Sequence, residues 1–153
     1  MKLTPQEEYG IRCLLQVAQT APCPAVPPVS IETIADREGL GYEHAAKMMR
    51  LLRVGGVVVS TRGAHGGFHL ARPADRISLW DVLVALDPPL YGEGFCEAFA
   101  GQQEACAHST SACNLKLLWQ FVGSTLQEGL TGFTLADLMA GRSPATLVSG
   151  AAK

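Results

Sequence analysis

No stretch of this chain approaches the ~18 apolar residues of a membrane helix, and no apolar run follows a basic start at the N-terminus. Neither a spanning nor a secreted protein is expected, and a cytoplasmic one is. The five cysteines cannot all pair, so a closed disulfide framework is excluded. No Cys-x2-Cys pair occurs, which removes a zinc ribbon. His44, His65 and His69 have no companion at triad or metal-binding spacing, so an enzyme is not expected. There is no internal repeat, and the net charge of −2 gives no overall attraction to nucleic acid.

The charge is unevenly placed. Between residues 40 and 76, Lys47, Arg50, Arg53, Arg62, Arg72 and Arg76 face only Glu43 and Asp75, a net of +4. Both flanks are acidic. A local basic segment on an acidic chain is the footprint of a part that touches phosphate beside a part that does not.

Helix signals are clear. Thr4-Pro5-Gln6-Glu7 combines an N-cap, a proline at the first helical position and a capping-box glutamate. Apolar residues then recur at Ile11, Leu14, Leu15 and Ala18 until about Thr20. Four prolines between residues 21 and 29 force a loop, in which Cys23 is expected to be exposed. Ser30 caps a short second helix ending at Gly39, and a third runs from about Tyr42 to Val54. Ala45, Met48, Met49 and Leu52 form the apolar face of that helix, and Glu43, His44, Lys47, Arg50 and Arg53 its polar face. Two short helices around a glycine-containing turn, the second basic outside, make a helix-turn-helix pattern, although helical hairpins are common.

Residues 57–59 and 68–70 read as two short strands around a turn with three glycines. A hairpin directly after a basic helix is a wing. Arg62, placed at its base, has the chemistry for a minor groove, and His65 lies in the turn. Ser78 caps a fourth helix that Asp87-Pro88-Pro89 stops. A long loop then carries Cys96, Cys106 and His108. A fifth helix, from about Cys113 to Leu130, is apolar over much of its circumference, which points to a subunit interface. A last short helix runs from Thr134 to Gly141. The expected organisation is a winged helix-turn-helix domain over residues 1–87, a cysteine-bearing loop over 88–112, a dimerisation helix and short helix over 113–141, and a disordered tail over 142–153: mainly α with a small β-hairpin.

Cys96, Cys106 and Cys113 are the second chemical feature. Three thiolates around one loop can hold an iron–sulfur cluster if a fourth ligand comes from elsewhere. Cys113 would open a helix, where the dipole favours an anion. Zinc, a thiol switch and unconnected cysteines remain open on the residues alone. Cys13, on the first helix, reads as a small buried hydrophobe.

From Met1 to about Met139 the chain resembles the Rrf-two superfamily of winged-helix regulators, the IscR, NsrR and RsrR group. The resemblance is carried by MKLTPQEEYGIRCLL, by IETIADREGLGYEHAAKMMRLLRVGGVVVSTRGAHGGFHLARP, by ISLWDVLVALD, and by three loop cysteines before a long helix. The wing, RG-x-x-GG-[FY]-x-L-A-R-P, is its most specific part. The resemblance implies a homodimer on double-stranded DNA, at a dyad-symmetric operator, with the fifth helices crossing between subunits. Cluster-bearing members sense iron–sulfur status, nitric oxide or redox state. By the same resemblance Cys96, Cys106 and Cys113 are ligands of a 2Fe–2S or 4Fe–4S cluster. Their spacing is wider than the family's, and Lys116 replaces a histidine that IscR-like proteins carry.

Glu8 matches an acidic ligand that NsrR- and RsrR-like proteins take from the partner's first helix; His108 is the other choice. Without the resemblance, Glu8 reads as an i,i+4 ion pair with Arg12. RsrR-like members use two cysteines, so one of the three is a possible bystander. Tyr42, Glu43, His44, Lys47, Arg50, Arg53, Arg62 and His65 are the expected DNA contacts. Two rival readings keep part of this picture: a metal-free thiol–disulfide switch on the same DNA-binding domain, and an interaction module docking through the fifth helix.

Overall fold

The computed structural model describes residues 4–63, 65–87 and 113–143. Helix α1 spans Pro5–Thr20, α2 Ile31–Glu38 and α3 Tyr42–Val54; strands β1 Val58–Thr61 and β2 Gly67–Leu70 follow. A 3-10 turn at Ala74–Arg76 leads to α4 Leu79–Leu86, and the chain closes with α5 Asn114–Thr131 and α6 Leu135–Met139.

The helix starts follow local chemistry. The Thr4 hydroxyl accepts from the Glu7 amide while the Glu7 carboxylate accepts from the Thr4 amide at 2.6 Å, the expected capping box. Ser30 and Ser78 cap α2 and α4 through the third amide of each helix. Thr134 and Asp137 form a second box at α6, which ends at Met139, short of the expected Gly141. Gly39 ends α2 at φ +64, a left-handed backbone that a β-carbon would strain.

The core lies where α1, α3, α4 and the hairpin meet. Leu14, Val17, Ile34, Met48, Met49, Leu52, Val58, Leu70, Val82 and Leu86 are buried in it. α1 packs on α2, α3, α4 and β2, so it frames the domain. All four residues assigned to the inner face of α3 are buried; emptying the Leu52 site by alanine would cost about 2–5 kcal/mol.

The strands differ from the sequence expectation by one or two residues. β1 and β2 are antiparallel, with Val58 opposite Leu70 and Thr61 opposite Gly67. Pairing therefore runs on through Thr61, and Arg62 stands beyond the strand, in the wing turn, not at the wing's base. The proline-rich loop adds a bridge on the other side of β2: Phe68 N–H donates to Val29 O at 2.9 Å and Val29 N–H to Phe68 O at 3.2 Å. A β-carbon on Gly67 would come within 2.4 Å of the Val29 carbonyl oxygen, so only glycine allows this approach.

His69, on β2 of the wing, is buried, and its Nε2–H donates to Val26 O at 2.8 Å. The loop over 88–112 lies outside the described residues, as does the tail from residue 144. At the tail's start Arg142 is tied back: its amide donates to Asp137 O at 3.0 Å and its guanidinium to the Asp137 carboxylate at 2.8 Å.

Candidate nucleic-acid interface

Burying Ala45, Met48, Met49 and Leu52 turns the opposite face of α3 outward. Glu43, Lys47 and Arg50, spaced i, i+4 and i+7, form one exposed stripe, with Arg53 beside it. The first turn of α3 divides three ways. Tyr42 lines a groove of about 300 Å³ with Ile31 and Glu32 of α2 and Thr61, Arg62 and Gly63 of the wing. His44 turns back to α1, where its ring meets Tyr9 edge-on with centroids 5.2 Å apart. Glu43 stands between them, exposed. A second recess, of about 690 Å³, opens on the other side of the wing turn between His65, Gly66, Pro28, Thr33 and Arg37.

The bases sort into two sets. Arg72 is held from three sides: its guanidinium donates to Arg76 O at 2.8 Å, Gly56 O at 3.0 Å and the Asp81 carboxylate at 2.6 Å. Arg12 donates through Nε to the Glu38 carboxylate at 2.7 Å and through a terminal nitrogen to Glu38 O at 3.1 Å. The ion pairs among the described residues involve Arg12, Arg72 and Arg142. Lys47, Arg50, Arg53 and Arg62 have no acidic partner there. Arg72, counted in the basic segment, thus serves the fold, while the exposed bases of α3 and the wing remain available to phosphate.

Arg12 also bears on the ion-pair reading of Glu8. Glu8 and Arg12, the alternative to a ligand role, make no direct ion pair: Arg12 is drawn across to Glu38 on α2, whose other carboxylate oxygen accepts from Gln16 at 2.5 Å, and Glu8 acts on Arg12 only through its charge. The Glu38 hydrogen bond and charge raise the Arg12 pKa above its ordinary value, against the opposing effect of burial. Glu8 is left exposed on α1.

Of the expected ligand set, Cys96, Cys106 and His108 lie outside the described residues. Cys113 is a free thiol at the N-cap of α5, half-buried, and its side chain makes no capping hydrogen bond. Among the described residues no three His, Cys, Asp or Glu side chains converge as a metal site. Cys13 is the inert thiol expected: fully buried, its pKa pushed up to about 11 by burial and by the nearby Glu38 charge. Cys23 is exposed.

Sequence reasoning missed Tyr9, which reaches both sides: it meets His44, and the Arg12 guanidinium lies 5.6 Å from its ring centroid. The only signal was its place beside Glu8 on a helix whose partners the sequence does not name.

α5 shows the expected apolar excess. Its half-buried stripe is Trp119, Val122, Leu126 and Leu130, and it packs on α4. Leu115, Leu117, Leu118 and Phe121 are 50–68% exposed. No helix among the described residues is long and apolar enough to cross a membrane.

A basic recognition helix, a preceding helix set across a glycine turn, and a wing beside its first turn define a winged helix-turn-helix transcription regulator. The family model described as "Rrf2: Iron-dependent Transcriptional regulator" matches residues 3–141, and the chain belongs to this Rrf2 family. It is 36% identical over 139 residues to the protein rrf2 of Nitratidesulfovibrio vulgaris, covering 91% of this chain and 87% of that one. Among solved structures it is similar to T. potens IscR, with 28% identity, coverage of 95% and 90%, and a TM-score of 0.66. It is also similar to the oxidized form of Staphylococcus aureus CymR, with 25% identity, coverage of 90% and 95%, and a TM-score of 0.61.

Proposed function

We propose that this regulator is a cytoplasmic homodimer that binds a dyad-symmetric operator. In this reading its affinity for DNA depends on an iron–sulfur cluster held by Cys96, Cys106 and Cys113, with Glu8 or His108 as fourth ligand. The observation that carries the DNA reading is the division of bases: those on α3 and the wing are exposed and without an acidic partner among the described residues, while Arg12, Arg72 and Arg142 are engaged within the fold. In such a domain the first turn of α3 enters the major groove, and the wing reaches the adjacent groove or backbone. Lys47, Arg50, Arg53 and Arg62 meet phosphate or base edges. The second chain is expected to cover the exposed apolar residues of α5 and to set the half-site spacing.

The cluster reading is supported by the family's description as iron-dependent, by Cys113 at a helix N-cap with an uncommitted side chain, and by Glu8 left without an ion-pair partner among the described residues. When bound, such a cluster supplies a group whose charge and ligation respond to redox state or nitric oxide. The protein residues carry the rest. Glu8 lies next to Tyr9 on α1, and Tyr9 touches His44 on α3, so a pull on Glu8 is felt at the first turn of the recognition helix.

Purification without oxygen, a visible absorption spectrum, and iron and acid-labile sulfide assays test this. A coloured protein with both elements, whose operator affinity changes when the cluster is removed, is expected. A protein that stays colourless after reconstitution with iron and sulfide rules the cluster out. The metal-free thiol–disulfide switch then leads, a reading favoured by the oxidized form known for the staphylococcal relative. Oxidant-dependent, dithiothreitol-reversible DNA binding by iron-free protein is its signature.

A further inference from the structure

On the exposed stripe of α3, the first-turn position is held by an acid, Glu43. Glu43 occupies the second helical position, and the turn before it is capped by Gly41, which has no side chain to offer. Two bland roles are available to Glu43. One is an i,i+4 ion pair with Lys47, the spacing for which is present. It does not form: the ion pairs among the described residues leave out both Glu43 and Lys47. The other is a purely local role, complementing the helix dipole from the first turn. That role leaves unexplained why the carboxylate stands outward between Tyr42, which faces the wing groove, and His44, which is held by Tyr9.

On a surface that must approach phosphates, an outward carboxylate is repelled unless it meets a hydrogen-bond donor. In the major groove the donors are the exocyclic amines of cytosine and adenine. Adenine places its N7 acceptor beside the amine, and a carboxylate, which only accepts, is opposed by that lone pair. Cytosine presents its N4 amine with no acceptor of its own next to it. We infer that Glu43 is a specificity-determining residue that accepts from the N4 amine of one cytosine in each operator half-site. Lys47 and Arg50, further along the stripe, hold the helix in register. This inference rests on the operator-binding reading above.

The test is selection from a randomised double-stranded DNA pool with the full chain as purified, repeated for Glu43→Gln and Glu43→Ala, with thermal unfolding of each. For the native chain a dyad-symmetric motif with one invariant C·G pair per half-site is expected. Replacing that cytosine by thymine should weaken binding about 5- to 100-fold. Glu43→Ala should bind all four bases there within about 3-fold of one another, with the rest of the motif intact. Glu43→Gln, similar in size but bearing both donor and acceptor, should shift the preference to adenine. A motif unchanged in both variants, even with a lower unfolding temperature, overturns the inference and leaves Glu43 a helix-dipole residue. If the native chain itself selects no duplex, the operator reading falls too, and the two failures are told apart by that control.

Discussion

The Tyr9 ring of the first helix meets the His44 imidazole of the recognition helix edge-on, at a centroid separation of 5.2 Å. The contact sits one residue from Glu8 and one from Glu43, so it ties the α1 surface to the first turn of α3. An aromatic pair is worth about 0.5–1.5 kcal/mol beyond its buried area. Tyr9→Leu is therefore expected to lower the unfolding temperature by a few degrees and, by releasing His44 beside Glu43, to weaken operator binding about 2- to 10-fold, and Tyr9→Phe to restore both. Binding isotherms paired with melting curves check this; a change in stability alone would make the contact merely structural.

Bases of the two sets should answer differently to truncation. Lys47→Ala is expected to weaken binding to every duplex and to flatten the salt dependence by about one unit of slope. Arg72→Ala removes hydrogen bonds to Gly56 O, Arg76 O and Asp81 and should cost about 1–2 kcal/mol of stability, reduced by its partial exposure, with the salt slope unchanged. A salt titration of DNA affinity beside urea unfolding separates them.

Gly67→Ala tests the wing's anchorage. The added methyl would press on the Val29 carbonyl, a backbone group with little freedom to yield. A loss of about 1–3 kcal/mol is expected, with faster exchange of the Phe68 and Val29 amides. Hydrogen-exchange protection at those two amides that matches the native chain would show that the bridge survives.

These contacts mark the limit of what the sequence discloses. Thr4, Ser30, Ser78 and Thr134 were legible as caps because a cap is a matter of residues a few positions apart. The inner face of α3 was legible because its period is. The strand ends were misread by one or two residues because the cross-strand pairing that sets them, Val58 opposite Leu70 and Thr61 opposite Gly67, is not a pattern of near neighbours. The Arg12–Glu38 pair, 26 residues apart, competes with a local Glu8–Arg12 alternative that spacing alone favours. His69 and Arg72 were unreadable for the same reason: each is held by backbone carbonyls whose positions only the folded chain supplies.

Thiol reactivity should separate two cysteines that composition cannot. With a pKa near 11, Cys13 is thiolate in only ~0.1% of molecules at pH 8, and it is fully buried besides. Because burial raises this pKa, the stability linked to the protonated thiol is present below the unfolded value and is lost as pH climbs towards 11. Iodoacetamide at pH 8 should modify exposed Cys23 within minutes and Cys13 only in denaturant, as read by peptide mass mapping. Rapid labelling of Cys13 in the native chain would contradict the packing.

In the proposed homodimer the exposed apolar residues of α5 should disappear from solvent. Leu117→Glu with Phe121→Glu is expected to yield a monomer by light scattering, with the helical content of the DNA-binding domain retained. Its affinity for a two-half-site duplex should fall at least ~100-fold, since the two heads are no longer linked. A variant that stays dimeric would move the interface elsewhere.

The separation of faces on α3 has one more consequence. Met48, Met49 and Leu52 answer to the core, whereas Glu43, Lys47 and Arg50 are exposed and enter no ion pair among the described residues. Substitutions along the outer stripe are thus free of the folding constraint that governs their neighbours one residue away. A lineage carrying this scaffold can trade one set of target genes for another through a few outward side chains, leaving the packed domain inherited and intact.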